Sequence, residues 1–181
     1  HDLRHHLQYL SACIENGRTE AAQEYIHSVC AEIEASKVNV YCENEAANLI
    51  LSSFAARAQH DGIDFRVHAA IPLILPLPDS DLCVLFSNAL ENALHASQKL
   101  PPEQRQVKVM ARMLSPAMLG LLVENRYDGV LKRQQGTLHS TKHDGMGIGL
   151  VSIQTAVSRY GGSMTVETEN CLFRVNILLN L

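Results

Sequence analysis

The sequence predicts an α+β fold: a two-helix hairpin, then a sandwich in which helices cover a mixed β-sheet. Three observations carry this. The first 36 residues show only helical spacing of apolar side chains. From residue 38 onward, helix-like and strand-like segments follow in the order helix, strand, helix, strand, strand, loop, helix, strand, strand. Consecutive strands joined by tight turns pair antiparallel, so the sheet is at least partly antiparallel and the helices gather on one face. The expected division is residues 1–37 for the hairpin and 38–181 for the sandwich.

In the hairpin, Leu3, Leu7, Leu10 and Ile14 are spaced four, three, four, as are Ala22, Ile26, Val29 and Ile33. That is the narrow seam of a helical bundle. Asn16-Gly17 ends the first helix and Thr19 starts the second. Helices this short bury little alone. The seam is completed either by a second copy, giving a dimeric four-helix bundle, or by packing on the chain's own sandwich. The chain opens at His1 already inside the helical pattern, without a cap, and reads as a fragment cut within a helix.

Val38 to Tyr41 reads as an extended joint. A helix follows over 45–60 (Ala46, Ile50, Phe54, Arg57), stopped by Asp61-Gly62. Ile63, Phe65, Val67 and Ala69 alternate as one face of a strand. A long helix spans about Asp79 to Lys99. Val107, Val109 and Ala111 start a second strand, Ser115-Pro116 turns the chain, and Met118 to Glu124 forms a third. Residues 126–144 have no period, and so long a loop in a small domain is functional or mobile as a rule. A helix then carries Val151, Ile153, Ala156, Val157 and Tyr160, and Gly161-Gly162 ends it. Met164–Thr168 and Leu172–Leu178 form a hairpin across Glu169-Asn170.

Composition excludes several classes. The chain has 181 residues, 46% apolar, with a net charge of −4 and no basic stripe, which argues against a nucleic-acid binder. No run of about 18 apolar residues occurs; the longest patch, Ile71–Leu77, is cut by Pro72 and Pro76. No secretory signal is visible. The five cysteines (Cys13, Cys30, Cys42, Cys83, Cys171) are odd in number and form no Cys-x-x-Cys pair, so they read as reduced apolar fillers of a cytoplasmic protein. Neither a Rossmann unit nor the Gly-x-x-x-x-Gly-Lys-[Ser/Thr] phosphate loop is present.

Two segments carry chemistry. In Gly145-Met146-Gly147-Ile148-Gly149-Leu150, three alternate glycines precede a helix, whose first turn offers free N–H groups and a partial positive charge to a phosphate. On the long helix, at about 100° per residue, Asn88, Glu91, Asn92, His95 and Lys99 form one polar stripe, while Leu82, Leu85, Phe86, Ala89 and Ala93 form an apolar face. Asparagine is a poor helix former, yet two lie one turn apart. The stripe is either a solvated face or a coordination face; amide oxygens and a carboxylate suit Mg²⁺, which binds through a few oxygens plus nucleotide phosphates.

Leu85-Phe86-Ser87-Asn88-Ala89-Leu90-Glu91-Asn92-Ala93-Leu94-His95-Ala96 resembles the N box of the GHKL ATPases, the superfamily of gyrase, the heat-shock 90 chaperones, sensor histidine kinases and MutL. The glycine turn resembles its G box, and the loop before it the nucleotide lid. Within the superfamily the chain is most similar to the Agr- and VirS-type (quorum-sensing) sensor histidine kinases. His1-Asp2-Leu3-Arg4 resembles their phosphoacceptor box, Tyr41-Cys42-Glu43-Asn44 with Asn48 the start of their catalytic domain, and Val123-Glu124-Asn125, Ser140-Thr141-Lys142 and Tyr160-Gly161-Gly162-Ser163 their later motifs.

The resemblance implies a Bergerat-type sandwich binding ATP and Mg²⁺. It implies Asn92 as the metal ligand and Asn88 as its neighbour on metal or phosphate. His95 and Lys142 become candidate phosphate contacts, with Gly145, Gly147 and Gly149 shaping the lid hinge and phosphate cradle. Most of the superfamily has Asp-x-Gly-x-Gly after the third strand, its Asp recognising the adenine amine. This chain has Asn125-Arg126-Tyr127-Asp128-Gly129, and Asn125 offers a neutral side-chain oxygen in that place. The resemblance further implies autophosphorylation and transfer to a response-regulator receiver domain, of the LytTR DNA-binding class by the same likeness. It implies a homodimer through the first helices, and the cytoplasmic part of a sensor held in a membrane by a region preceding this chain. Two other readings stay open: a phosphotransfer or scaffold protein with a degenerate pocket, and a GHKL clamp that hydrolyses ATP.

His1, His5 and His6 crowd one turn. His1 and His5 have a spacing that suits zinc but lack a third ligand, and exposed histidines are common. The phosphoacceptor reading assigns His1 as nucleophile and Asp2 as the carboxylate that orients it and takes its proton. A first residue sits on a fraying helix end, so this chain alone is expected to autophosphorylate poorly.

Overall fold

The computed structural model describes residues 2–35, 40–129, 132–134, 137–139 and 148–181, with side chains described for 9–27, 40–129 and 148–181. It divides into two compact units, His1–Asn39 and Val40–Leu181.

The first unit is a helical hairpin, α1 (Asp2–Glu15) and α2 (Thr19–Ala35). Gly17 adopts φ +71°, and the Arg18 N–H reaches back to the Cys13 carbonyl, closing α1. Contact between the helices buries Cys13 and Ala22, and the rings of Tyr9 and Tyr25 meet at 4.4 Å. Two of the expected seam residues, Ile14 and Ile26, are instead exposed (68% and 46%). On α2 the buried residue, Ala22, is a seam position of the heptad reading, whereas on α1 it is Cys13, one position round from Ile14. The seam residues Leu3, Leu7, Val29 and Ile33 lie outside the described side chains.

The second unit is a two-layer sandwich, an α+β fold with a mixed sheet as the sequence predicts. Its elements are α3 (Glu45–His60), β1 (Asp64–Ala70), α4 (Asp79–Ser97), β2 (Gln106–Ser115), β3 (Met118–Arg126), β4 (Lys132–Gln134), β5 (Thr137–His139), α5 (Ile148–Arg159), β6 (Ser163–Glu169) and β7 (Leu172–Asn180), with a 3-10 turn at Pro102–Gln104. The five-stranded sheet runs β1-β2-β3-β7-β6. β1 and β2 pair parallel, because α4 carries the chain back between them; the other pairs are antiparallel. Helices α3, α4 and α5 lie side by side on one sheet face.

Period-2 burial on β2 and β3 (Val107, Val109, Ala111; Leu119, Leu121, Val123) meets the apolar face of α4. Phe86, Leu82, Leu85, Leu90 and Leu94 are fully buried there, each contributing about 1.5–3 kcal/mol. Asn44 starts α3, its side-chain oxygen accepting from the Ala47 N–H at 2.9 Å. After α3, Gly62 takes φ +65° and the Asp61 carboxylate accepts from Gln98 Nε2 at 2.5 Å, tying the end of α3 to the end of α4.

Three details differ from the sequence reading. The stretch 126–144 holds a short antiparallel ladder, β4 with β5, because three-residue strands show no period. The last hairpin turns at Asn170-Cys171, both left-handed (φ 52° and 60°), one position later than expected. And Cys171 is exposed, not a filler, whereas Cys13 and Cys42 are buried.

Candidate functional site

α4 and α5 pack antiparallel, and contacts at two levels fix how they meet. At one level stand Asn88, Asn92 and Gly149. Asn88 is half-buried, and its Nδ2 donates to the Val84 carbonyl at 2.8 Å, which turns Oδ1 outward from the helix. Asn92, one turn on, is exposed at the helix surface. Gly149, the second residue of α5, faces both amides. A Cβ built on it would lie 2.9 Å from Asn92 Nδ2 and 3.4 Å from both Asn92 Oδ1 and Asn88 Oδ1. Glycine thus permits the close approach: a side chain here would displace the amides from the place they now occupy. The N-terminus of a twelve-residue helix, with N–H groups lacking intrahelical acceptors, thus abuts two amide side chains.

At the other level, Asp81, buried in the first turn of α4, meets the far end of α5. The Tyr160 hydroxyl donates to its carboxylate, and Arg159 pairs with it at 2.9 Å. The carboxylate holds the Tyr160 phenol above the usual tyrosine range. This clamp sets the axis of α5 and with it the place of Gly149. Sequence reasoning missed it: Asp81 reads only as a favourable acid at a helix start, and its partner Tyr160 lies 79 positions away.

The remaining stripe residues divide. Glu91, which the stripe offers as a carboxylate ligand, forms a bidentate pair with Arg57 of α3 (2.5 and 3.1 Å). That pair raises the Arg57 guanidinium further above its usual range. His95 is half-buried one turn beyond Asn92, and Lys99 is exposed just past the helix end.

Asn125 closes β3. Alternation with Leu119, Leu121 and Val123 puts it on the face that α4 covers, and it is 3% exposed. Its Nδ2 donates to the Arg126 carbonyl at 2.9 Å, which leaves the side-chain oxygen as the acceptor for an amine. Just beyond, the Tyr127 N–H bonds the Cys171 carbonyl at 3.1 Å and the Tyr127 ring sits edge-on to Phe173. Gly129, at φ +78°, passes the Cys171 thiol, 3.6 Å from where its Cβ would be. The β6–β7 turn thus anchors the segment leaving Asn125, a second feature absent from the sequence reading.

Of the residues singled out from sequence, the structure brings Asn88, Asn92 and Gly149 together and puts Asn125 on the sheet face under the same helix. His1, Lys142, Gly145 and Gly147 lie outside the described residues, as does the side chain of Asp2.

A helical layer over a mixed sheet, with an asparagine pair facing a glycine-preceded helix start, defines a Bergerat-type sandwich. The GHKL domain family model matches residues 77–180, more than half of the sequence, and the chain belongs to that family. No curated protein sequence matches it. Solved structures sharing the fold include the mycobacterial sensor histidine kinase MprB, at 22% identity and a TM-score of 0.56, covering 75% of this chain and 93% of that one. The nucleotide-free catalytic domain of the histidine kinase ThkA has 14% identity and a TM-score of 0.60, covering 75% and 92%. The blue-light activated histidine kinase of Erythrobacter litoralis has 19% identity and a TM-score of 0.53 over its histidine kinase domain, covering 75% and 61%. Domains of the GHKL family typically bind Mg·ATP. Among the described residues no helix is long and apolar enough to cross a membrane.

Proposed function

We propose that this chain is the kinase core of a bacterial sensor histidine kinase of the Agr/VirS-like group: residues 38–181 bind Mg·ATP, and residues 1–37 carry the phosphoacceptor and the dimer seam. The observation that supports it most is the contact of Gly149 with Asn88 and Asn92. The donor set suits the ligand: two amide oxygens for a hard cation, a helix start for phosphate, and a buried amide oxygen at Asn125 for the adenine amine.

In this reading Asn92 ligates the metal and Asn88 supports it, His95 and Lys142 contact phosphate, and Gly145, Gly147 and Gly149 let the backbone approach the phosphates. Bound Mg²⁺ would supply charge neutralisation on the phosphate oxygens. The residues then do the positioning on which phosphoryl transfer depends. The His1 imidazole attacks the γ-phosphorus in line, ADP leaves, and Asp2 orients the ring and takes its proton. A receiver-domain aspartate accepts the phosphoryl group next, on a regulator of the LytTR class by resemblance. The exposed Ile14 and Ile26 fit a seam completed by a second copy. The region preceding His1 would hold the protein at the membrane with this portion in the cytoplasm.

Transfer is favoured over hydrolysis by two observations. One turn before Asn92, where hydrolytic relatives generally carry a glutamate base, stands Asn88, whose amide takes no proton from water. The carboxylate on the same helix stripe, Glu91, is engaged by Arg57. The test has two arms. Mg·ATP is titrated into the chain; saturable binding, lost in Asn92→Ala, is expected, and its absence would mean a degenerate pocket. The full cytoplasmic portion is then given γ-labelled ATP, with acid-labile label expected in His5→Gln and not in His1→Gln. The reverse pattern overturns the choice of His1, and steady ATP turnover without phosphoprotein overturns the kinase in favour of a clamp.

A further inference from the structure

The sheet face opposite the helices holds an unassigned basic concavity. Alternation on β1 and β2 turns Arg66, His68 and Ala70, and Lys108, Met110 and Arg112, away from the helix layer. His68 pairs in register with Met110, and Ala70 with Arg112. His68, Lys108 and Arg112 line a hollow of about 550 Å³, together with Met110 and Ala70, whose side chains face the same way.

Among the described residues the charges of Lys108 and Arg112 are uncompensated. Two carboxylates lie within reach by register, and each is already engaged. Glu124, opposite Lys108 on β3, pairs with Arg174. Asp64, two positions before Arg66 on β1, pairs with Arg66 at 2.8 Å. Among the described residues Lys108 and Arg112 have no carboxylate partner, and with the His68 imidazole they surround one hollow in a chain whose net charge, histidines neutral, is −4. Lys108 and Arg112 stand four strand residues apart, about 13 Å at roughly 3.3 Å per residue, and His68 lies beside the midpoint. Both long side chains can close on a ligand from opposite ends.

The geometry points to a second anion site on the open face of β1 and β2, taking a multiply charged phosphate-bearing small molecule. The volume falls in the range of small-ligand pockets, about 300–1,000 Å³. Arginine and lysine recognise phosphate as a fork and a point charge. Met110 offers a modest apolar platform for an organic body, and the lining lacks the aromatic anchors at the centre of protein interfaces. The site shares no residue with the Asn88–Asn92–Gly149 contact and does not depend on the kinase reading.

The test is an amide-resolved NMR titration of the isotope-labelled chain with inorganic triphosphate, at about 0.15 M salt to screen diffuse attraction. A decapeptide of Asp and Glu serves as the second probe. Saturable shifts at His68, Lys108 and Arg112 are expected. In Lys108→Glu/Arg112→Glu the affinity should fall by about tenfold or more, with the response of Gly149 to Mg·ATP retained. Lys108→Gln/Arg112→Gln replaces it if charge reversal impairs folding. Three results overturn the site: shifts confined to Gly149 and Asn92, equal affinity in the double variant, or tighter binding of the decapeptide, which would make the face an acidic-protein surface.

Discussion

Gly149→Ala separates the function of the α4–α5 contact from its contribution to stability. The new methyl would lie 2.9 Å from Asn92 Nδ2, where ordinary contact needs about 3.4 Å or more, so the amide must retreat by at least several tenths of an ångström. Asn92 is exposed and can swing away without disturbing the core. Gly149 has an ordinary helical position and no positive φ, so alanine should stabilise the fold by about 0.4–1 kcal/mol. A displaced metal ligand, by contrast, should weaken Mg·ATP binding by about 10–100-fold. The two readouts therefore move in opposite directions. Calorimetric titration of Mg·ATP, beside thermal unfolding of the apo protein, measures both. Unchanged affinity in Gly149→Ala, or a loss of affinity that merely follows a lowered Tm, would refute the reasoning.

Other expectations rest on equally local features. Gly162→Ala should behave oppositely to Gly149→Ala: its Cβ would lie 2.1 Å from the Leu178 carbonyl oxygen, and backbone cannot swing aside; a loss of about 1–3 kcal/mol or more in urea unfolding is expected, and a neutral result would contradict the packing of α5 against β7. Phe86→Ala empties the centre of the α4–sheet interface, where Phe86 is fully buried, and should cost about 3–5 kcal/mol; an unchanged urea midpoint would count against that core. Burial pushes the Cys42 thiol up from its ordinary value. Its contribution is therefore complete below the unfolded thiol pKa of about 8.5 and is lost as pH rises through the higher folded value. Cys42→Ala should flatten the start of the alkaline fall in stability, leaving a later component from the raised Tyr160 phenol; urea midpoints across pH 7–11 that keep the wild-type slope would count against it.

Legibility in the sequence followed the range of the interaction. α4 was readable because its apolar positions repeat with the helix period and bury as one face. The placing of Asn88 and Asn92 one turn apart on one face followed from the same period. That these asparagines and the glycine turn meet was an inference from resemblance, and the contact with Gly149 carries it. What escaped was set by long-range side-chain geometry. The Asp81–Tyr160–Arg159 clamp joins residues that share no local pattern, and the Arg57–Glu91 pair takes a carboxylate off the coordination stripe. In the hairpin, the heptad rule names Ala22, which is buried, but on α1 it names Ile14 where the smaller Cys13 makes the contact within one chain. β4 and β5 escaped because three residues per strand leave no alternation to read.

The most direct test is a structure determined with a non-hydrolysable ATP analogue and Mg²⁺. The account predicts the metal on Asn92 Oδ1, the phosphates between the asparagine pair and the start of α5, and the adenine amine on Asn125 Oδ1. A nucleotide seated away from the α4–α5 contact, or adenine turned from Asn125 with no metal on Asn92, would contradict it.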